Sequence, residues 1–222
     1  MDITVLPLND IKTFLTYFQI VTALVGTFNY YKYRSTFLKY FLYLLWYVVI
    51  NDFSAKIYSE NFSIYNAFLY NIYQFISFSF FFLMYEKAVK SVVNKNIIQV
   101  LKIIYYLIFI FYIFNENFIE DYFSTAYMIG GFFVICAVTL FLLEILNSHK
   151  IIHINKMLIF WISIALLLSV LPNIPFNVIR KYYCDSATIP YIYAASYLLV
   201  FIYNVLIISG FIWCSKEQKR YY

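Results

Sequence analysis

The segment Phe123–Leu146, FSTAYMIGGFFVICAVTLFLLEIL, contains a single charged residue, Glu144, in an otherwise mostly apolar run. An α-helix rises about 1.5 Å per residue, so about 20 residues cross the roughly 30 Å hydrocarbon core of a bilayer. The segment therefore predicts a transmembrane helix. It also indicates the class of the protein, because six further segments of the chain are long, mostly apolar runs of the same kind.

The composition of the whole chain supports the same prediction. Its 222 residues are 64% hydrophobic and 12% charged, whereas soluble domains are about half apolar and about a quarter charged. The excess apolar surface must face lipid. We therefore expect one all-α domain over residues 1–222, a polytopic bundle of seven transmembrane helices. The predicted spans are about Thr13–Tyr31, Thr36–Asn51, Tyr65–Tyr85, Ile98–Phe114, Phe123–Leu146, Ile154–Phe176 and Tyr191–Trp213.

The lysines and arginines predict the orientation of these spans. Twelve of them lie on one side of the predicted bundle and four on the other. The positive-inside rule places the larger set in the cytoplasm, with the N-terminus outside and the C-terminus cytoplasmic. We expect an integral protein of a bacterial inner membrane. The larger set is Lys32, Arg34, Lys39, Lys87, Lys90, Lys95, Lys102, Lys150, Lys156, Lys216, Lys219 and Arg220.

Charge and loop length limit the possible partners. The net charge of +5 is divided among short connections, so it predicts no nucleic-acid partner. The expected partners are membrane lipids and another membrane or cytoplasmic protein. Two basic segments, Glu86–Lys102 and Asn147–Lys156, are suited to an acidic partner or to anionic headgroups. No motif predicts a cofactor.

The third predicted span carries the clearest polar pattern, a set of five side chains at helical spacing on one face. Polar groups in lipid are costly and tend to face the interior of a bundle. Two interpretations are open: hydrogen bonds between helices that stabilise packing, or a polar cavity that admits a ligand. The five residues are Asn66, Tyr70, Tyr73, Gln74 and Ser77, and Asn204 and Trp46 are candidates from the seventh and second spans.

Three acidic residues lie within reach of the bilayer, and one of them, Glu86 at the inner end of the third span, is expected to be interfacial and solvated. Asp52 follows the second span at its outer end, where water is expected to solvate it. Glu144 lies about one turn inside the fifth span and is the candidate functional carboxylate. Alternatively, Glu144 has a purely structural role and forms an ion pair with Lys150 or another cytoplasmic lysine.

Two further motifs qualify as candidates. His149 and His153 are spaced i, i+4, so one helical face could present both to a metal, but no HExxH core surrounds them and no metal site is predicted. Pro172 and Pro175 fall at the end of the sixth span. Because proline removes a backbone donor and clashes with the preceding turn, we expect the helix to kink or end there, as a hinge at the outer side.

Three functions remain open. The leading hypothesis is a non-enzymatic protein that acts through partners, as a sensory module or a subunit of a membrane complex, because the loops are too short to carry chemistry. The alternative is a small-solute transporter that uses Gln74 as a contact and the prolines as a hinge. The weaker alternative is an intramembrane lipid-modifying enzyme that uses Glu144 or Asp52.

Overall fold

The computed structural model describes residues 8–62, 66–147, 154–182 and 189–215. Over these ranges the chain forms seven α-helices, with a short 3₁₀ turn, Tyr30–Lys32, between the first two. The helices are α1 (Leu8–Phe28), α2 (Lys39–Phe62), α3 (Ala67–Ala88), α4 (Val92–Asn115), α5 (Ser124–Leu146), α6 (Leu158–Tyr182) and α7 (Ile189–Trp213).

The all-helical class is confirmed, and six of the helices in the described residues are long and apolar enough to cross a membrane. Their length and composition indicate an integral membrane protein with a multi-pass helical bundle. The remaining helix is α2, which carries Lys39, Asp52 and Lys56. It is also longer than the predicted span Thr36–Asn51, because it continues to Phe62.

The helices form a closed ring with one helix outside it. Around the ring, α1 contacts α2, α2 contacts α3, α3 contacts α5, α5 contacts α6, α6 contacts α7, and α7 contacts α1. We call these six helices the ring. Helix α4 packs on the outside against α3 and α5. Its buried side chains are Ile98, Tyr105 and Phe109, so most of its apolar surface faces away from the protein.

Helix α6 corrects one expectation. The predicted stop at Pro172 and Pro175 would have ended the span near Phe176, yet the helix continues through both prolines to Tyr182. A kink or hinge at the two prolines stays a prediction. Asn173 and Asn177 donate side-chain hydrogen bonds of 2.8 Å and 2.9 Å to the carbonyl oxygens four residues earlier. These amide bonds supplement a backbone ladder from which each proline has removed one donor.

The end of the bundle that carries most lysines, which we call the lysine-rich end, is closed by contacts between loops and helix ends. Lys32 Nζ donates bonds of 2.7 Å and 2.9 Å to the carbonyl oxygens of Phe211 and Ile212, which belong to the last turn of α7. A cation at a helix C-terminus is favourable because carbonyls there lack partners. Burial raises the pKa of the neighbouring Cys214 thiol, an effect that the Lys32 ammonium opposes.

Candidate binding site between the helices

A cavity of about 160 Å³ lies inside the ring and is called the central cavity below. All six ring helices contribute to its wall, and α4 contributes none of the lining residues. The lining residues are Gln19, Leu44, Leu45, Val48, Tyr73, Gln74, Ser77, Phe78, Phe81, Tyr127, Leu166, Ser169, Val170, Asn173, Val200, Tyr203 and Asn204.

A second, more polar cavity of about 440 Å³ lies between α1, α2 and the start of α3. We call it the peripheral cavity. It is found at the end of the bundle opposite the lysine-rich end. Its wall includes Asp52 together with the ammonium groups of Lys12 and Lys56. The remaining lining residues are Thr13, Thr16, Tyr17, Phe53, Ala55, Asn66 and Tyr70.

The polar face of α3 divides between the two cavities. Asn66 and Tyr70 line the peripheral cavity, and the next residues along the same face, Tyr73, Gln74 and Ser77, line the central cavity. The structure therefore brings all five predicted stripe residues to cavity walls. Their helical spacing turns one face of α3 into a continuous polar surface from the bundle end to its interior.

Gln19 of α1 lies where the two cavities approach each other. Its side chain lines the central cavity, and its amide lies near the carboxylate of Asp52, which lines the peripheral cavity. The Lys12 ammonium also attracts the Asp52 carboxylate. Asp52 is therefore half-buried, with an amide and a cation nearby, whereas the sequence predicted a solvated carboxylate.

Gln74 is the most distinctive residue of the site. Its side chain is 1% exposed, and neither amide atom has a hydrogen-bond partner among the described residues. The Tyr105 hydroxyl of α4 lies near this amide, but the two groups do not reach hydrogen-bond geometry. A buried amide without a partner costs free energy, so Gln74 is unexplained as a packing residue.

The polar groups opposite Gln74 already have partners. Asn204 Oδ1 accepts a 2.8 Å bond from the Thr22 hydroxyl, and its Nδ2 donates 2.8 Å to the Val200 carbonyl oxygen. Asn173 donates to Ser169 within α6. These residues shape the wall while their main hydrogen bonds are satisfied by the protein.

Asn71, next to the stripe on α3, has a structural role. It is fully buried, and its Nδ2 donates to the carbonyl oxygens of Phe118 and Asp121 at 3.2 Å and 2.8 Å. Its Oδ1 accepts from the Phe123 backbone at 3.0 Å. One amide therefore organises the connection between α4 and α5, and it does not face either cavity.

Glu144 lies at the lysine-rich end. Its carboxylate accepts hydrogen bonds from the backbone N–H groups of Lys90 and Ser91 and from the Asn94 side chain. An anion at the N-terminus of α4 offsets its unpaired donors and the helix dipole. Glu144 and Asp52 thus lie at opposite ends of the bundle and do not form a shared acid–base site.

The other predicted residues have separate positions. Trp46 donates a 3.2 Å bond to the Thr27 hydroxyl and joins α2 to α1. Pro172 and Pro175 flank Asn173, which reaches the central cavity. His149 and His153 lie outside the described residues. Within the ranges that are described, no three His, Cys, Asp or Glu side chains cluster as metal ligands.

Several wall residues were not predicted as site residues. Ser169 and Asn173 lie on α6, and Tyr127 and Tyr203 come from α5 and α7. The four-residue spacing of Ser169 and Asn173 was a visible signal, since it places two polar groups on one helical face. The two tyrosines carried no local signal in a chain with 25 tyrosines.

Comparisons with protein-family models, curated proteins and solved structures find no match to this chain.

Proposed function

We propose that the protein is a membrane receptor module that binds a small molecule in the central cavity and passes the signal to a protein partner. The observation that carries this proposal is Gln74, an amide buried at a cavity wall without a partner among the described residues. A ligand that pairs with this amide would remove its desolvation penalty. The continuous polar face of α3 supplies the path to it.

The two ends of the bundle differ in a way that favours a receptor over a transporter. On the lysine-rich side of the cavity, Phe41, Phe82 and Phe211 are fully buried, and the Tyr85 hydroxyl bonds to the Ser163 hydroxyl at 2.8 Å. On the other side, the polar peripheral cavity adjoins Gln19. We therefore propose that the ligand enters from the peripheral cavity, which the charge distribution assigns to the outside.

Output through a partner is proposed because the described connections between the helices are short. Arg34, Lys87, Lys90 and Lys95 are exposed at the lysine-rich end, where they suit an acidic protein surface or anionic lipid headgroups. The basic segment Glu86–Lys102 is mostly helix, and Lys102 is paired with Glu86 at 2.7 Å. Purification in mild detergent is expected to retain a defined partner.

Transport is a second candidate, and α6 favours it. Asn173 lines the central cavity between two prolines, each of which removes a helix hydrogen bond. Because two backbone hydrogen bonds are missing here, bending of α6 at the prolines could open the cavity. A carrier would expose the cavity alternately to the two sides, whereas a receptor module would expose it to one.

Sided cysteine labelling tests these proposals. Ser77→Cys is placed in a background in which the native cysteines are serines, and a water-soluble methanethiosulfonate that does not cross the bilayer is added to either side of oriented vesicles. We expect labelling from the Lys12 side alone. The matched control is Ile76→Cys, the adjacent side chain, which points out of the bundle. Labelling from both sides would favour the carrier, and no labelling from either side would contradict a ligand site.

A further inference from the structure

The wall of the central cavity contains no aspartate, glutamate, lysine, arginine or histidine among the described residues. A charged ligand would lose its hydration there and meet no opposite charge, which is strongly unfavourable. The charged groups Lys12, Asp52 and Lys56 belong to the peripheral cavity instead. The central cavity is therefore suited to a neutral molecule.

Most of the unused hydrogen-bonding capacity of this wall lies on α3. Gln74 offers an amide oxygen and an amide NH₂ without partners within the described chain, and Gln19 Oε1 and the Ser77 hydroxyl also lack bonds of good geometry. By contrast, Asn204 and Asn173 are bonded to protein groups. An amide presents a donor and an acceptor side by side in one plane, so its best complement carries the reverse pair.

The size and the apolar part of the wall restrict the ligand further. A cavity of about 150 Å³ accommodates a molecule of about the size of benzene, and the central cavity has about 160 Å³. Aromatic rings supply flat apolar faces against which another ring can pack. The rings at the wall are Tyr73, Phe78, Phe81, Tyr127 and Tyr203.

We propose that the central cavity binds a neutral, planar molecule about the size of one aromatic ring that carries a carboxamide-like donor–acceptor pair. Gln74 is the residue that selects it, by pairing its own amide with that group. The inference rests on the proposed function, since it names the ligand class of the same cavity. The peripheral cavity, with its charged groups, does not share this preference.

Three probes of similar shape separate the possible outcomes: benzamide, which carries the donor–acceptor pair, acetophenone, which carries the acceptor alone, and benzoate, which is charged. Binding is measured by ligand-observed NMR with the full chain in nanodiscs, and empty nanodiscs provide the subtraction for lipid partitioning. Benzamide is expected to bind at least tenfold more tightly than acetophenone. A site that accepts a hydrogen bond from the ligand binds an analogue without that N–H donor much more weakly, because its buried acceptor is left unpaired. Benzoate is expected to show no saturable binding.

The variant Gln74→Leu is expected to remove the tenfold preference for benzamide. Gln74→Met is a second variant with a flexible side chain of similar size, and gel filtration checks that each variant is folded. Thr139→Val is the matched control, because the Thr139 hydroxyl is exposed and bonds to its own helix. This control is expected to bind like the unmodified protein.

Two results would overturn the inference. Equal affinity for benzamide and acetophenone would exclude amide selection, and an unchanged preference in both Gln74 variants would exclude Gln74 as its source. Either result leaves the proposed function standing if Ser77→Cys is labelled from one side. If Ser77→Cys is not labelled and no probe binds, the proposed function and the inference both fail.

Discussion

The Thr22 hydroxyl on α1 donates a 2.8 Å hydrogen bond to Oδ1 of Asn204 on α7, 182 positions later in the chain. Both side chains are at most 2% exposed. This bond joins the first helix to the last and closes the ring. Interhelical hydrogen bonds in membrane proteins contribute about 0.6 kcal/mol on average and up to about 1.7 kcal/mol.

Breaking this bond tests its contribution to ring closure. Thr22→Val and Asn204→Leu, alone and combined, form a double-mutant cycle in which the free energy of unfolding is measured in mixed micelles. We expect a coupling energy of about 0.5–1.5 kcal/mol. Thr139→Val, on an exposed face of α5, supplies the control for a lost hydroxyl. A coupling energy indistinguishable from zero would show that the ring closes without this bond.

Gln74 and Asn71 lie one turn apart on α3 and should respond in opposite ways to replacement by leucine. Gln74→Leu removes an amide without protein partners, so the free energy of unfolding should stay the same or rise by about 1 kcal/mol. Asn71→Leu removes three hydrogen bonds to the connection before α5, so the free energy of unfolding should fall by about 2 kcal/mol or more. Equal destabilisation would indicate that Gln74 serves packing.

Lys32→Met tests the closure of the lysine-rich end. The substitution keeps an unbranched apolar stem but leaves the carbonyl oxygens of Phe211 and Ile212 without their donor. We expect a loss of about 1–3 kcal/mol in the free energy of unfolding. Lys39→Met is the matched control, since the Lys39 ammonium lies over the Tyr40 ring near the surface and contributes little there. Similar losses for both variants would argue against a special role for Lys32.

Gly210→Ala tests the close approach of α6 and α7. A Cβ at this position would lie 2.6 Å from Cβ of Trp161, an atom held by the backbone of α6. Overpacking of this kind costs about 1–3 kcal/mol, measured as a lower free energy of unfolding. The neighbouring Ser209→Ala serves as control, because the Ser209 hydroxyl bonds to its own helix. A neutral Gly210→Ala would mean that the two helices can separate at little cost.

Tags at the two chain ends test the proposed orientation and the passage of α2 through the membrane. With seven crossings the ends lie on opposite sides, and the positive-inside rule assigns the C-terminus to the cytoplasm. A protease or an impermeant label added to intact cells is expected to reach the N-terminal tag alone. Ends on the same side would require an even number of crossings, with α2 as the helix that does not span.

Much of the architecture follows from local properties of the chain. The predicted spans agree with the helices to within a few residues at α5 and α7, because uninterrupted apolar segments have their ends marked by polar residues. Helix α2 was predicted too short, since Asp52 and Lys56 interrupt its apolar run while its backbone remains helical. The predicted stop at Pro172 and Pro175 does not occur, because the Asn173 and Asn177 amides and packing in the ring maintain the helix.

The helical class, the membrane-protein composition and the polar face of α3 could be predicted from the sequence alone, because hydropathy and helical periodicity are properties of neighbouring residues. Helix packing adds two facts that the sequence did not predict: α2, the one described helix not apolar enough to count as a candidate membrane span, belongs to the ring, and the strongly apolar α4 lies outside it. It also decided that Gln74 faces a cavity while Asn71, on the same helix, holds a loop. These outcomes depend on side chains far apart in the chain, whose contacts arise only when the helices pack.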